Sequence, residues 1–225
     1  MKKTKQIYLS YILDEKTPSY GNRNEFNRIK KSAISKGDVA NDTTIETTVH
    51  IGTHIDMPYH FFENGQTIKD FNCEYFNFKN ILFIELNPKN LIIKDELIGK
   101  LESIENKEFH ELLIVKTGIC YKRDTKEFWE SNFGFDSSLA DYLRQFFPNI
   151  RVFGFDSISV SSFQNRMIGR EAHKAFLNPQ KPILLLEDMD LTNVDKNTKF
   201  KRVIIAPLRI SKCDGLPCTI IGEIY

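Results

Sequence analysis

Six short runs dominated by aliphatic and aromatic side chains constrain this chain more than any other feature: 81–86 (ILFIEL), 111–116 (ELLIVK), 150–155 (IRVFGF), 182–187 (PILLLE), 202–208 (RVIIAPL) and 218–225 (CTIIGEIY). Runs of this length and make-up read as β-strands, and several are apolar on both faces, as strands are in a sheet covered on both sides. Helical stretches lie between them. Over 137–147, Leu139, Tyr142, Leu143, Phe146 and Phe147 follow the i, i+3, i+4, i+7, i+8 stripe of an amphipathic helix, with Asp136 or Ser137 placed to cap it. A second helix is expected over 95–104. A third, over 169–177, is stopped by the two prolines of NPQKP. Strands interleaved with helices predict an α/β fold, a mixed sheet with flanking helices.

The chain of 225 residues shows no repeat, low-complexity tract or Pro/Gly/Ser linker, so a single domain over 1–225 is expected. With 31 Lys and Arg against 30 Asp and Glu, it has no global charge to attract nucleic acid or an anionic membrane, which points to a small-molecule partner. The opening MKKTKQIYLSYILDEK has the lysines of a secretory signal but no small-residue cleavage site. Its alternation of Ile7, Leu9 and Tyr11 with Tyr8, Ser10 and Ile12 suits a first strand. With no apolar run of about 18 residues, a cytoplasmic location is expected. Cys73, Cys120, Cys213 and Cys218 form no C-x-x-C pair and are expected as reduced thiols in or near the core.

The segment VHIGTHIDMPYH places three of the chain's five histidines within twelve residues. His50, His54, Asp56 and His60 share one parity, so an extended chain would project all four from one face. A straight strand would hold the α-carbons of His50 and His60 ~33 Å apart, whereas ligands of one metal lie ~2.0–2.2 Å from it. The segment must therefore bend, and Gly52 and Pro58 are suited to bend it. A helix here is disfavoured by Gly52, Pro58 and the β-branched neighbours. His110, in the charged stretch NKEFHELL, reads as a solvated residue ahead of a strand.

The same segment resembles the metal-dependent cyclase or kynurenine formamidase-like hydrolase family, whose hallmark is H-x-G-T-H-x-D-x-P-x-H. Every specified position is present from His50 to His60. Further stretches match in family order: LLIVKTG with Lys116 where the family carries Arg, VFGFDSISV for its G-x-D-x-x-S, and HKAFLNPQKPILLLEDMDL, which contains His173 and Glu187. Besides Lys116, the gap from His173 to Glu187 is somewhat longer than the family pattern, and two motifs depart from it. The closing G-S-P-x-R is here Gly215, Leu216, Pro217, Cys218, Thr219, without the Arg, and the early W-P-G turn is PSYGN, with Tyr20 in place of the aromatic. The departures are on the substrate-facing side and point away from N-formylkynurenine as the substrate.

The resemblance implies a swivelling β/β/α fold and a homo-oligomer, a dimer or tetramer. It implies that His50, His54 and Asp56 bind one metal ion, that Asp56, His173 and Glu187 bind a second, and that His60 is the catalytic acid/base. Tyr20 becomes a substrate-binding candidate. Histidine and carboxylate donors suit Zn²⁺, one or two per subunit, with Mn²⁺ the main competitor. Such a centre supplies hydroxide at neutral pH and polarises a carbonyl, which suits hydrolysis of a small formamide or lactam C–N bond. A cyclase, dehydratase or lactone hydrolase of secondary metabolism is the alternative, and a metal-binding protein without turnover is a third reading. FDSIS around Ser157 lacks the G-x-S-x-G elbow of serine hydrolases.

Overall fold

The computed structural model describes residues 3–225. Its strands are β1 (Lys5–Tyr8), β2 (Asn27–Ser32), β3 (Asp42–Glu46), β4 (His54–Asp56), β5 (Asn77–Phe78), β6 (Ile81–Glu85) and β7 (Ile92–Ile93). They continue with β8 (Leu112–Lys116), β9 (Gly134–Phe135), β10 (Val152–Phe155), β11 (Leu184–Glu187), β12 (Phe200–Pro207) and β13 (Gly215–Ile224). The helices are α1 (Asp95–Glu102), α2 (Glu127–Glu130), α3 (Ser138–Phe146) and α4 (Arg166–Phe176). Each of the six apolar runs and each of the three helical stretches became an element, with ends shifted by a few residues. The mixed α/β architecture agrees with the fold class expected from the sequence.

Nine strands form one sheet in the order β5-β12-β13-β4-β11-β10-β8-β6, with β1 also paired to β13. The two halves of this sheet differ. Strands β6, β8, β10 and β11 are parallel and carry the unbroken apolar runs, whereas β4, β13, β12, β5 and β1 pair antiparallel. Leu112 to Val115, Val152, Phe153, Phe155 and Leu184 to Leu186 have no exposed surface, because helices and sheet cover them from both sides. Removing that much apolar surface from water is the main drive for closing the sheet. Helix α3 begins where Asp136 Oδ1 accepts from the Ser138 N–H, so the aspartate rather than Ser137 caps it.

The seam between the halves is where β4 lies antiparallel to both β11 and β13. There His54 faces Glu187 in one ladder and Asp56 faces Gly215 in the other. Two sequence motifs act as scaffold for this seam. Asp156 of the G-x-D-x-x-S segment accepts from Thr117 N–H and Oγ1 and from Gly118 N–H, each at 2.8 Å, tying the end of β10 to the end of β8. Lys116 is buried, and its ammonium donates to the Val194 carbonyl and to Tyr121 Oη, so it braces a loop and takes no part in the cleft.

Some expectations are corrected. Cys120 and Cys218 are buried, but Cys213 is only half-buried and Cys73 is exposed. His110 is partly buried, which pulls its pKa down, so it is less solvated than its charged neighbours suggest. Strands β2 and β3 pair into a hairpin that the sequence does not announce, since NRIKKS and DTTIE lie almost wholly in solvent and show no buried alternation. No helix among the described residues is long and apolar enough to cross a membrane.

Candidate metal centre

The histidine segment bends where its residues demand it. Gly52 has φ +60°, a left-handed conformation that favours glycine, and its missing Cβ leaves room for the Leu13 side chain. His54–Asp56 forms strand β4, and Pro58 opens a short 3-10 turn, Pro58–His60, that swings His60 back over the strand. The Thr53 hydroxyl donates to the Asp188 carbonyl, fixing the approach of the segment to β11. Asp188 is itself locked by a bidentate ion pair with Arg123 at 2.8 and 2.9 Å.

The bend, the seam and α4 bring all the expected ligands together. His54 and Asp56 are almost wholly buried, 3% and 1% exposed, and Glu187 and His173 are buried beside them. His54 Nδ1 lies 2.8 Å from the Gly52 carbonyl and His173 Nδ1 lies 2.8 Å from the Gly169 carbonyl. A carbonyl only accepts, so each Nδ1 carries the proton and, in the neutral ring, each Nε2 offers a lone pair. Backbone carbonyls orient many metal-binding histidines in this way. Glu187 is oriented too, because Oε1 accepts from the Val160 N–H at 2.7 Å.

Those lone pairs face oxygen. His54 Nε2 is 3.5 Å from Asp56 Oδ1 and 3.4 Å from Glu187 Oε2, and His173 Nε2 is 3.5 Å from Asp56 Oδ2 and 3.8 Å from Glu187 Oε1. His54 Nε2 and Asp56 Oδ2 are buried without a hydrogen-bond partner, and Asp56 Oδ1 meets only His50 Nδ1, at 2.9 Å. Left so, acceptors facing acceptors out of water are costly. Donors bound ~2.0–2.2 Å from a tetrahedral ion stand about 3.4 Å from one another, close to these separations. The donors present therefore fit a divalent cation.

His50 and His60 are held differently, by an aspartate the sequence analysis did not single out. Asp214 Oδ2 lies 2.7 Å from His50 Nε2 and 3.1 Å from His60 Nδ1. The two rings pack at a tilt of 34° with centroids 4.1 Å apart. His50 Nδ1 also reaches Asp56 Oδ1 at 2.9 Å. Gly215, next to Asp214, makes room for this, since a Cβ there would lie 2.5 Å from the His50 ring. His60, Asp56 and His173 place ligand atoms within 4.8 Å of one another, so His60 stands over the carboxylate.

The electrostatics follow from this packing. Burial opposes a charge on His50, but Asp56 and Asp214 on its two sides outweigh it and raise its pKa to about 10. His50 thus lies between two carboxylates, with Asp56 on Nδ1 and Asp214 on Nε2. Burial also opposes charge on His54, yet Glu187 and Asp56 raise its pKa. At His173 burial wins and the pKa falls, keeping the ring neutral. Burial would raise Asp56, but His50, His60 and His54 hold it far below the usual carboxylate range. Asp214 is held far down by its hydrogen bonds from His50 and His60.

A cleft of about 450 Å³ opens above these residues, within the range of small-molecule sites. Tyr20 lines its wall, with its hydroxyl 3.1 Å from Ser161 Oγ and donating to the Ser162 carbonyl. Clefts of about 780 and 850 Å³ elsewhere on the surface are lined by none of the histidines of this centre.

Comparison with known proteins identifies the family. Residues 7–162 match the family described as "Putative cyclase", and the chain belongs to that cyclase family. It is 26% identical over 220 residues to a kynurenine formamidase of Geobacillus thermodenitrificans, covering 94% of this chain and 93% of the relative. It is also 26% identical over 192 residues to cyclase-like protein 1 of Arabidopsis thaliana, covering 83% and 71%. Among solved structures, isatin hydrolase A from Labrenzia aggregata superposes with a TM-score of 0.79 at 20% identity, over 98% of this chain and 94% of that one. A potential metal-dependent hydrolase with cyclase activity superposes at 0.77 with 21% identity over 99% of both chains.

Proposed function

We propose that the chain is a metal-dependent hydrolase that cleaves the C–N bond of a small formamide or lactam. The observation that carries this reading is the set of 3.4–3.8 Å gaps between the His54 and His173 nitrogens and the Asp56 and Glu187 oxygens. His50, His54 and Asp56 would hold one ion and Asp56, His173 and Glu187 a second, with Zn²⁺ favoured and Mn²⁺ the competitor. A bound divalent ion would supply hydroxide near neutral pH and polarise the substrate carbonyl.

The chain's own groups do the rest. His60, fixed through Nδ1 by Asp214, keeps Nε2 for proton transfer. It takes a proton from the attacking water and delivers one to the leaving nitrogen. A C–O bond forms, the C–N bond breaks, and the products are an amine and a carboxylic acid. The Val160 N–H holds Glu187, the Arg123–Asp188 ion pair fixes the residue that follows it, and the Gly52 and Gly169 carbonyls keep two imidazoles in the donor tautomer. The kynurenine formamidase relatives and the isatin hydrolase likeness support amide chemistry over lactone chemistry. An ordered His60–Asp214 pair weighs against a binding protein without turnover, since His60 is not needed as a ligand.

The test is metal content together with hydrolysis of a panel of formamides, lactams and lactones, by wild type and His60→Ala. Metal-loaded wild type is expected to cleave formamides or lactams, and His60→Ala to keep its metal and lose about 100-fold or more in kcat. A metal-free wild type that is fully folded would overturn the reading.

A further inference from the structure

Above the metal centre the cleft carries a charge pattern that the hydrolytic chemistry does not use. Arg23, Arg166 and Arg170 line its upper wall, and none of the three forms an ion pair among the described residues. Among the described residues, the only carboxylates lining the cleft are Asp56 and Glu187 on its floor. The chain as a whole has a net charge of +1, so this excess is local.

The arginines are placed by the same element that delivers a ligand. Arg166, Arg170 and His173 stand at i, i+4 and i+7 on α4, which puts them on one helical face. At 1.5 Å rise per residue, Arg170 lies about 4.5 Å and Arg166 about 10.5 Å along the axis from His173. Phe163 steadies the outer pair, with the Arg166 guanidinium 4.1 Å and that of Arg23 5.8 Å from its ring centroid. This placement runs against helix preference. Arg166 opens α4, whose first turn contains no acidic residue, although the positive pole of the helix favours anions there. Arg166 is thus an uncompensated cation at that end, a cost to the free protein that a bound anion removes.

Resting on the hydrolase reading, we infer that the substrate is an anion: an amide whose carboxylate is held by Arg166 and Arg170, with Arg23 alongside, while its carbonyl lies over Asp56 and Glu187. The spacing along α4 sets the separation of the two groups at roughly 5–10 Å. The wall between them includes Tyr20 and Phe61, which suits an aromatic or similarly flat spacer.

Metal-loaded wild type and the double variant Arg166→Gln/Arg170→Gln are compared on 4-formamidobenzoate and its neutral isostere 4-formamidobenzamide. Binding of the cleavage product 4-aminobenzoate is measured by calorimetry on the same samples. Wild type is expected to favour the carboxylate by about 10-fold or more in kcat/KM, expressed in KM, and the double variant to lose that preference and 10-fold or more in product affinity. Equal rates on the two substrates in wild type, unchanged by the substitutions, would overturn the inference while leaving the hydrolase reading intact. If neither substrate is cleaved, calorimetry decides: product binding that needs both arginines supports the anion subsite, and binding indifferent to them overturns it. Metal content and thermal midpoint, expected to match wild type, separate loss of the subsite from misfolding.

Discussion

The floor and the rim of the cleft are built by opposite rules. On the floor, His54, Asp56, His173 and Glu187 are buried, come from strands and a helix, and have each orientation fixed by backbone or by a neighbouring ladder. On the rim, Arg23, Arg166 and Arg170 are exposed and steadied by little more than a phenylalanine. A rigid floor suits chemistry that tolerates no displacement, and an adaptable rim suits selection among substrates. His50, His60 and Asp214 lie between the two, half-buried.

This contrast ranks the expected effects of substitution. Asp56→Asn removes the carboxylate shared by both proposed ligand sets and is expected to lower kcat/KM by about 1000-fold or more, with most bound metal lost on elemental analysis. Retained metal would break the distinction between floor and rim. Asp214→Asn removes the charge behind His50 and His60. The expected loss is about 10- to 100-fold, seen mainly in kcat and in a displaced pH–rate profile, with metal largely retained. A change confined to KM would move Asp214 to the rim. Tyr20→Ala should be mildest, a few-fold rise in KM at unchanged metal content, because Tyr20 holds Ser161 and Ser162 and lines the wall without touching the floor. An effect as large as that of Asp214→Asn would show that the wall positions the reacting carbonyl.

Legibility in the sequence follows the same division. The buried parallel strands were readable because burial on both faces leaves unbroken apolar runs, and the histidine segment because its ligands fall close together in the chain. His173 carried no local signal and was reached through family resemblance alone. Asp214 was missed because its contact to His60 spans 154 residues and depends on β13 pairing with β4. The Asp-Gly pair ahead of the last strand was its one trace, and it reads equally well as a turn. Helix α4 starts three residues before the expected Gly169, directly after a 3-10 turn over Phe163–Asn165 that the sequence does not announce. The arginine face escaped notice for that reason: half of it lay outside the expected helix. The β2–β3 hairpin was illegible because neither face is buried, so no alternation is required.

The central claim is that the seam between β4 and β11 is built around a divalent ion. Its most direct test is elemental analysis of the purified protein, wild type beside Asp56→Asn, with hydrolysis assayed before and after chelation and after returning Zn²⁺ or Mn²⁺. One or two ions per chain in wild type, few in the variant, and activity that leaves and returns with the ion are the predicted results. Undiminished hydrolysis by fully chelated wild type, or equal metal in both proteins, would contradict it.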